Sequence, residues 1–427
     1  MPANSSPRSD RLQLAVVPPC GSVPGGGRLR GLDCRAGGLA SSEIVVAGAG
    51  AVAGSACESL TRLGCGLLVC DFDRFGPDSF RTQWCDAGDW GRHKVDVLGD
   101  RLRRIHPSSR LTMARGYVQD LPWQLLYRSL GLLSAGDNLQ MLVWQGKLTA
   151  ALGKPLFQGA VHGETLSAIV RRWDLSNPDA ACPACALGAA DWSRLAIRQG
   201  CDLRSLHTGG GVATQTPPFV CITAGQMAAA EVAKLLTGVE QSPAALEVLY
   251  CLQSHRIIAT ELQRNPDCRC PHERWEVEIL HDSPDQLTLA DLLRRSPFHT
   301  RTDWRGLEVW SETPWCHFAM CERCDRRLPV RRFAFPGDEV GTCTCGGQLL
   351  ATPQGLRQAI PAVDLMQRAG TLLSEAGLLS GRAIVIRDGD APPWCGFVGP
   401  VHEFMPDPGG SLCPETTTPA LAPAICV

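Results

Sequence analysis

Ile44-Val45-Val46-Ala47-Gly48-Ala49-Gly50-Ala51-Val52-Ala53 is the stretch on which the fold turns. A short β-branched run that stops at glycine reads as a buried strand. The small residues after it let the chain turn tightly into a helix, expected through about Leu63. Leu67-Leu68-Val69-Cys70 reads as a second buried strand, ending in Asp71-Phe72-Asp73. Residues 93–105 look helical and amphipathic, Leu130 to Ala135 reads as a third buried strand, and Asn138 to Leu152 as a further helix. Strand and helix alternating at this spacing predict an α/β fold with a parallel, doubly wound sheet.

The turn Gly48-Ala49-Gly50-Ala51 sits where such sheets bind phosphate. Side chains this small let the backbone approach the ligand, and the helix start offers free N–H groups and a positive dipole end. Asp71 closes the second strand about 20 residues later, where a carboxylate binds ribose hydroxyls. The pair predicts a nucleotide site, with ATP and a nicotinamide cofactor both open at this point.

Composition narrows the class. A chain of 427 residues suggests two or three domains at about 150 residues each. Forty-one basic against 43 acidic residues give a net charge of -2, which argues against nucleic acid as a partner. No segment reads as membrane-spanning. The apolar run Leu12 to Val17 is too short for a signal peptide and ends in Pro18-Pro19-Cys20, so a cytoplasmic location is expected. The 21 cysteines include the close pairs Cys182/Cys185, Cys268/Cys270, Cys321/Cys324 and Cys343/Cys345. In a reducing compartment, close pairs favour metal over disulfides.

Beyond the first half, Ala224 to Leu236 reads as a helix, and Glu247 to Leu252 and Arg256 to Glu261 as strands. After about Arg274 the alternation fades. A cysteine-rich module at 321–345, a helix near 355–376 and a Pro/Gly-rich tail from Asp390 are expected there. Cys182-Pro-Ala-Cys185 has the spacing of a zinc half-site, and Cys321-Glu-Arg-Cys324 with Cys343-Thr-Cys345-Gly-Gly has that of a zinc ribbon.

GAGAVAG, DFD, FRTQW, GRHK, AGDN and LGKPLFQG, in this order and spacing, resemble the ThiF/MoeB/ubiquitin-activating-enzyme superfamily, over roughly residues 44–272. The resemblance implies a Rossmann-like, ThiF-type adenylation domain over residues 43–275, after a loose arm at 1–42. A smaller C-terminal α+β domain at 276–427 would carry the ribbon at about 316–350. It implies ATP-dependent adenylation of the C-terminal carboxylate of a ubiquitin-like β-grasp protein, followed by thioester transfer to a conjugating enzyme in some relatives. A homodimer is the usual assembly.

Residue by residue, the resemblance implies nucleotide contacts from Gly48, Gly50, Ala51, Asp71, Asp73, Arg81, Gln83, Lys94 and Asp137. Asp71 would hold the ribose, Arg81 and Lys94 the phosphates, and Asp137 the Mg2+. Arg81 stands 13 residues before Lys94, which matches the motif, while Gln83 falls one position late. Cys268 and Cys270 would complete the zinc site of Cys182 and Cys185, with His272 available in place of one thiolate. The ribbon, with Cys321, Cys324, Cys343 and Cys345, makes a second structural Zn2+ site. Cys201 is the candidate thioester nucleophile, although His207 takes the usual cysteine position. Arg28 and Arg30 are candidates to reach a partner's ATP site. A sulfur-carrier or peptide-precursor adenylyltransferase, a nicotinamide-dependent oxidoreductase and a non-catalytic scaffold are the competing functions.

Overall fold

The computed structural model describes residues 13–17, 42–136, 138–198, 215–239, 243–300 and 304–400. The first half of the chain runs β1 (Gln13–Val17), β2 (Glu43–Ala47), α1 (Ala51–Arg62), β3 (Gly66–Asp71), α2 (Lys94–Ile105), β4 (Leu111–Arg115), α3 (Trp123–Arg128), β5 (Leu132–Ser134), α4 (Leu139–Leu152), β6 (Leu156–His162), β7 (Ser167–Trp173), α5 (Ala189–Arg198), α6 (Pro218–Leu236), β8 (Ala245–Cys251) and β9 (Arg256–Glu261). These strands form one sheet in the order β1-β4-β3-β2-β5-β6-β7-β8-β9. Strands β4, β3, β2, β5 and β6 are parallel, and β6 to β9 continue as antiparallel neighbours.

The parallel strands are apolar because helices cover both faces. Ile44, Val46, Leu67 and Val69 face α1 and α2, and Val45 and Leu68 face the other layer. Helix α6 lies against α1, and Gly225 permits the contact: a Cβ there would sit 2.4 Å from the Val52 carbonyl oxygen. Over 19 residues α6 is long and apolar enough to cross a membrane, but half of it is buried inside the protein, as in a core helix.

The second sheet is built from β10 (Glu276–Leu280), β11 (Leu307–Cys321), β12 (Arg327–Phe333), β13 (Glu339–Thr342), β14 (Gln348–Ala351), β15 (Leu356–Pro361), β16 (Arg382–Asp388) and β17 (Trp394–Val398), with α7 (Leu289–Arg295) and α8 (Ala362–Met366) packed on it. The two halves share a core. Ala383, Val385, Cys395 and Phe397 pack in one cluster with Leu125, Leu126 and Leu142. Trp123 meets Trp275 at 5.6 Å and Tyr127 meets Phe397 at 5.5 Å between ring centres.

Four sequence expectations need correction. Part of the loose arm is a strand: β1 pairs antiparallel with β4 along the sheet edge. The helix expected near 355–376 is instead strand β15, the short α8 and turns, with Pro361 standing at the junction. The tail after Asp390 contains β17, buried throughout between β10 and β16. The helix expected from Ala224 starts earlier, at Pro218, so that Cys221 lies within α6 and is buried.

Candidate functional site

Strand β2 lies between β3 and β5, so the chain leaves it in opposite directions on either side. Doubly wound sheets bind ligands at such a switch point, outside the carboxyl ends of the strands. The glycine turn occupies that place. Gly48 has φ +107°, against the Ala135 backbone at the end of β5. Gly50 caps α1 with no side-chain hydrogen bond, and the first turn carries no acid. The N–H groups of that turn are therefore open to an anion.

Asp71 braces this turn. The Ala49 N–H donates to its Oδ2 at 2.6 Å and the Asp73 N–H to its Oδ1 at 2.7 Å. Burial pushes the Asp71 carboxyl above its ordinary 3.8, while the Asp73 N–H and the Lys94 charge pull it back down. Each oxygen has a further lone pair beyond the N–H bond it accepts. Asp71→Asn keeps the size but turns one acceptor into a donor that faces an N–H group. We expect it to cost about 1–3 kcal/mol, read as a lowered unfolding midpoint at neutral pH. Because the folded carboxyl titrates above 3.8, the wild type loses part of its stability as pH rises through that window, and the Asn variant lacks this component.

Lys94 opens α2 and donates its backbone N–H to the Asp73 carbonyl at 2.9 Å. Its Nζ lies 3.0 Å from Asp73 Oδ2; the lysine side chain is 12% exposed and the aspartate 45%. Gln83 reaches over the glycine turn, with Oε1 3.8 Å from where a Gly50 Cβ would stand. That oxygen is buried with no hydrogen-bond partner. Arg81 ends a 3-10 turn (Pro77–Arg81) and is exposed. The structure thus brings Gly48, Gly50, Ala51, Asp71, Asp73, Gln83 and Lys94 into one neighbourhood. His93, not singled out from the sequence, caps α2 beside them. Burial, with Arg74 and Arg115, holds the imidazole below its usual pKa, against the opposing pull of Asp96 and of a hydrogen bond to the Phe72 backbone. Its place in the GRHK motif is the signal that marks it. Asp137, Cys201, His207, Arg28 and Arg30 lie outside the described residues. Next to Asp137, Asn138 caps α4, its Oδ1 accepting from Gln140 N and Met141 N.

On the far side of α4, a metal-competent cluster joins the segment after β7 to the segment after β9. Cys182, Cys185, Cys268 and His272 bring their ligand atoms within 4.8 Å of one another. Cys182 Sγ is 3.7 Å from Cys268 Sγ and 3.8 Å from Cys185 Sγ, and Cys185 Sγ is 3.3 Å from His272 Nε2. Zinc–sulfur bonds of 2.3 Å in a tetrahedron place sulfurs about 3.8 Å apart. His272 also bonds the backbone at Ala180, which orients the ring. Cys270, expected as the fourth ligand, is outside this set. Cys270 is buried in the same core with its thiol hydrogen-bonded to that of Cys182, while His272 Nε2 stands against Cys185. Cys321, Cys324, Cys343 and Cys345 form a second cluster in the other half of the molecule.

Among curated proteins, none matches this chain. Solved structures are similar to it over a little more than half of the chain, at low identity. E. coli MccB with AMPCPP and MccA is 15% identical at a TM-score of 0.44, over 56% of this chain and 68% of that one. PaaA is 15% identical at a TM-score of 0.42, over 57% of this chain and 85% of that one. The profile of the ThiF family matches residues 35–271, more than half of the sequence. With the glycine turn, the Asp71 brace and the α2 lysine in the places described, the chain belongs to the ThiF family, whose adenylation fold works on ATP.

Proposed function

We propose that this chain adenylates the C-terminal carboxylate of a ubiquitin-like β-grasp protein. A carboxylate oxygen attacks the α-phosphorus of ATP, the bond to the β-phosphate breaks, and pyrophosphate leaves an acyl-adenylate. The carboxylate is a weak nucleophile, so the protein's contribution is position and charge. The observation that carries this reading is the glycine turn held by Asp71 with Lys94 at the next helix start. The N–H groups of α1 and the Lys94 ammonium would neutralise the phosphates, with Arg81 reaching in from its turn and Asp137 holding Mg2+. Cys182, Cys185, Cys268 and His272 would hold a structural Zn2+, closed because four protein ligands leave no open position.

A folded partner suits the antiparallel half of the sheet. Ala160, Ile169, Leu249 and Ile258 are cross-strand neighbours in register over β6 to β9. The row is half-buried and ends at Ile258, 55% exposed. An apolar strip of this kind fits a protein surface. A homodimer and onward thioester transfer, through Cys201 or another thiol, belong to the same proposal.

The test is carrier-dependent ATP–pyrophosphate exchange with small β-grasp proteins, each compared with the same protein lacking its last residues. Exchange only with the intact carriers, and its loss in Asp137→Ala, supports the reading. Exchange with a linear precursor peptide and with no β-grasp protein moves the substrate to peptides. ATP binding without exchange for either class leaves a scaffold.

A further inference from the structure

We propose that Cys321, Cys324, Cys343 and Cys345 bind a zinc ion of their own, and that this ion folds the distal half of β11 together with β12, β13 and β14. The cluster lies beyond the family-matched residues 35–271 and is independent of the adenylation chemistry.

Geometry comes first. The four ligand atoms lie within 4.8 Å of one another. Cys321 and Cys345 are 3.4 Å apart, Cys324 and Cys345 3.5 Å, and Cys324 and Cys343 3.7 Å. These are near the sulfur spacing of about 3.8 Å in a zinc tetrathiolate, and well beyond a disulfide of about 2.05 Å.

The backbone around the sulfurs is arranged for negative charge. The Arg323 N–H donates to Cys321 Sγ at 3.4 Å. The Arg326 N–H donates to Cys324, and the Cys345 N–H to Cys343. Each donor stands two residues after its sulfur, so both halves of the site make the same tight knuckle. Asp325 takes φ +55° and Gly346 φ +82° to close these turns. Gly347 leaves the space the sulfur needs: a Cβ there would stand 2.8 Å from Cys321 Sγ. Zinc with four thiolates carries a net negative charge, which such N–H groups stabilise.

The surrounding core is too small to hold this unit alone. Its buried members are Cys316, Ala319, Cys321, Ala334, Cys343, Leu349 and Ala351, mostly small side chains, and Leu328, Val330, Val340 and Leu356 are only partly buried against them. Small units of this kind draw their folding energy from the metal.

The experiment uses the full-length chain. Metal content is measured in the wild type, in Cys324→Ser/Cys345→Ser and in Cys324→His, and the cobalt-substituted proteins are compared by thiolate-to-metal charge-transfer absorption. We expect two zinc ions per wild-type chain and one in the double serine variant. With seven cysteine ligands over the two clusters, the cobalt band of that variant falls to about three-sevenths of the wild-type intensity. Cys324→His keeps both ions, because imidazole is a competent zinc ligand, and reads about six-sevenths. Unchanged zinc content in the double serine variant overturns the proposal, as does iron in place of zinc. Loss of both ions in the double variant while Cys324→His also holds fewer than two overturns the independence of the site.

Discussion

Lys94→Ala lowers carrier-dependent ATP–pyrophosphate exchange by about 100- to 1,000-fold, the effect of removing one fixed donor from developing charge. The side chain is 12% exposed and anchored at the first position of α2, so its ammonium is largely withdrawn from water, where charge interactions are strongest. Its removal does more than delete a positive charge. Asp73, 3.0 Å away, would then stand unneutralised beside the proposed triphosphate site and repel the ligand. The fold bears the change easily. Asp73 is 45% exposed, and an ion pair with one exposed partner contributes about 0–1 kcal/mol. The unfolding midpoint of Lys94→Ala should therefore stay within a few degrees of wild type, separating lost chemistry from lost structure. Lys94→Arg restores the charge with a wider head group and is expected to recover part of the rate. Exchange within threefold of wild type in Lys94→Ala removes this lysine from the phosphate site.

What the sequence displays of this site is what lies close together along the chain. Strand β2, the glycine turn, α1 and β3 are consecutive, and each is marked by a local pattern: a β-branched run, a pair of glycines, an apolar run ending in acid. The Asp71 brace is legible because its partner Ala49 sits in that same unit. Strand β1 is illegible for the opposite reason. Gln13 to Val17 is a five-residue run inside a Gly/Pro/Ser-rich arm, and its partner on β4 lies about a hundred residues downstream. Strand β4 itself mixes Thr112 and Arg115 with its apolar residues, so no clean period marks it. The stretch 355–376 spaces its apolar residues in a way that suits either a helix or a strand, and pairing of β15 with β11 decides the outcome. In the first metal cluster, spacing identifies Cys182 and Cys185 but cannot choose between Cys270 and His272. The folded path decides which side chain stands against Cys185, and it is His272.

That choice sets the second large effect: Cys182→Ala loses one zinc equivalent, and Cys270→Ala keeps it. Cys182 sits 3.7 Å from Cys268, 86 residues on, and 3.8 Å from Cys185, so it ties the two distant segments of the cluster. Removing it leaves two thiolates and an imidazole, a set that no longer closes a tetrahedron. Structural zinc contributes its binding energy to folding. Losing even about 3–5 kcal/mol of it would lower the unfolding midpoint by roughly 6–20 °C in a domain of this size. Cys270 is a small buried side chain in the same core, and truncating it to alanine costs on the order of 1 kcal/mol through packing. His272→Ala should behave like Cys182→Ala, with metal lost and the midpoint lowered. The three variants together fix the donor set. If Cys270→Ala loses the metal while His272→Ala retains it, the fourth ligand is the Cys270 thiolate, which already hydrogen-bonds Cys182 at the edge of the cluster.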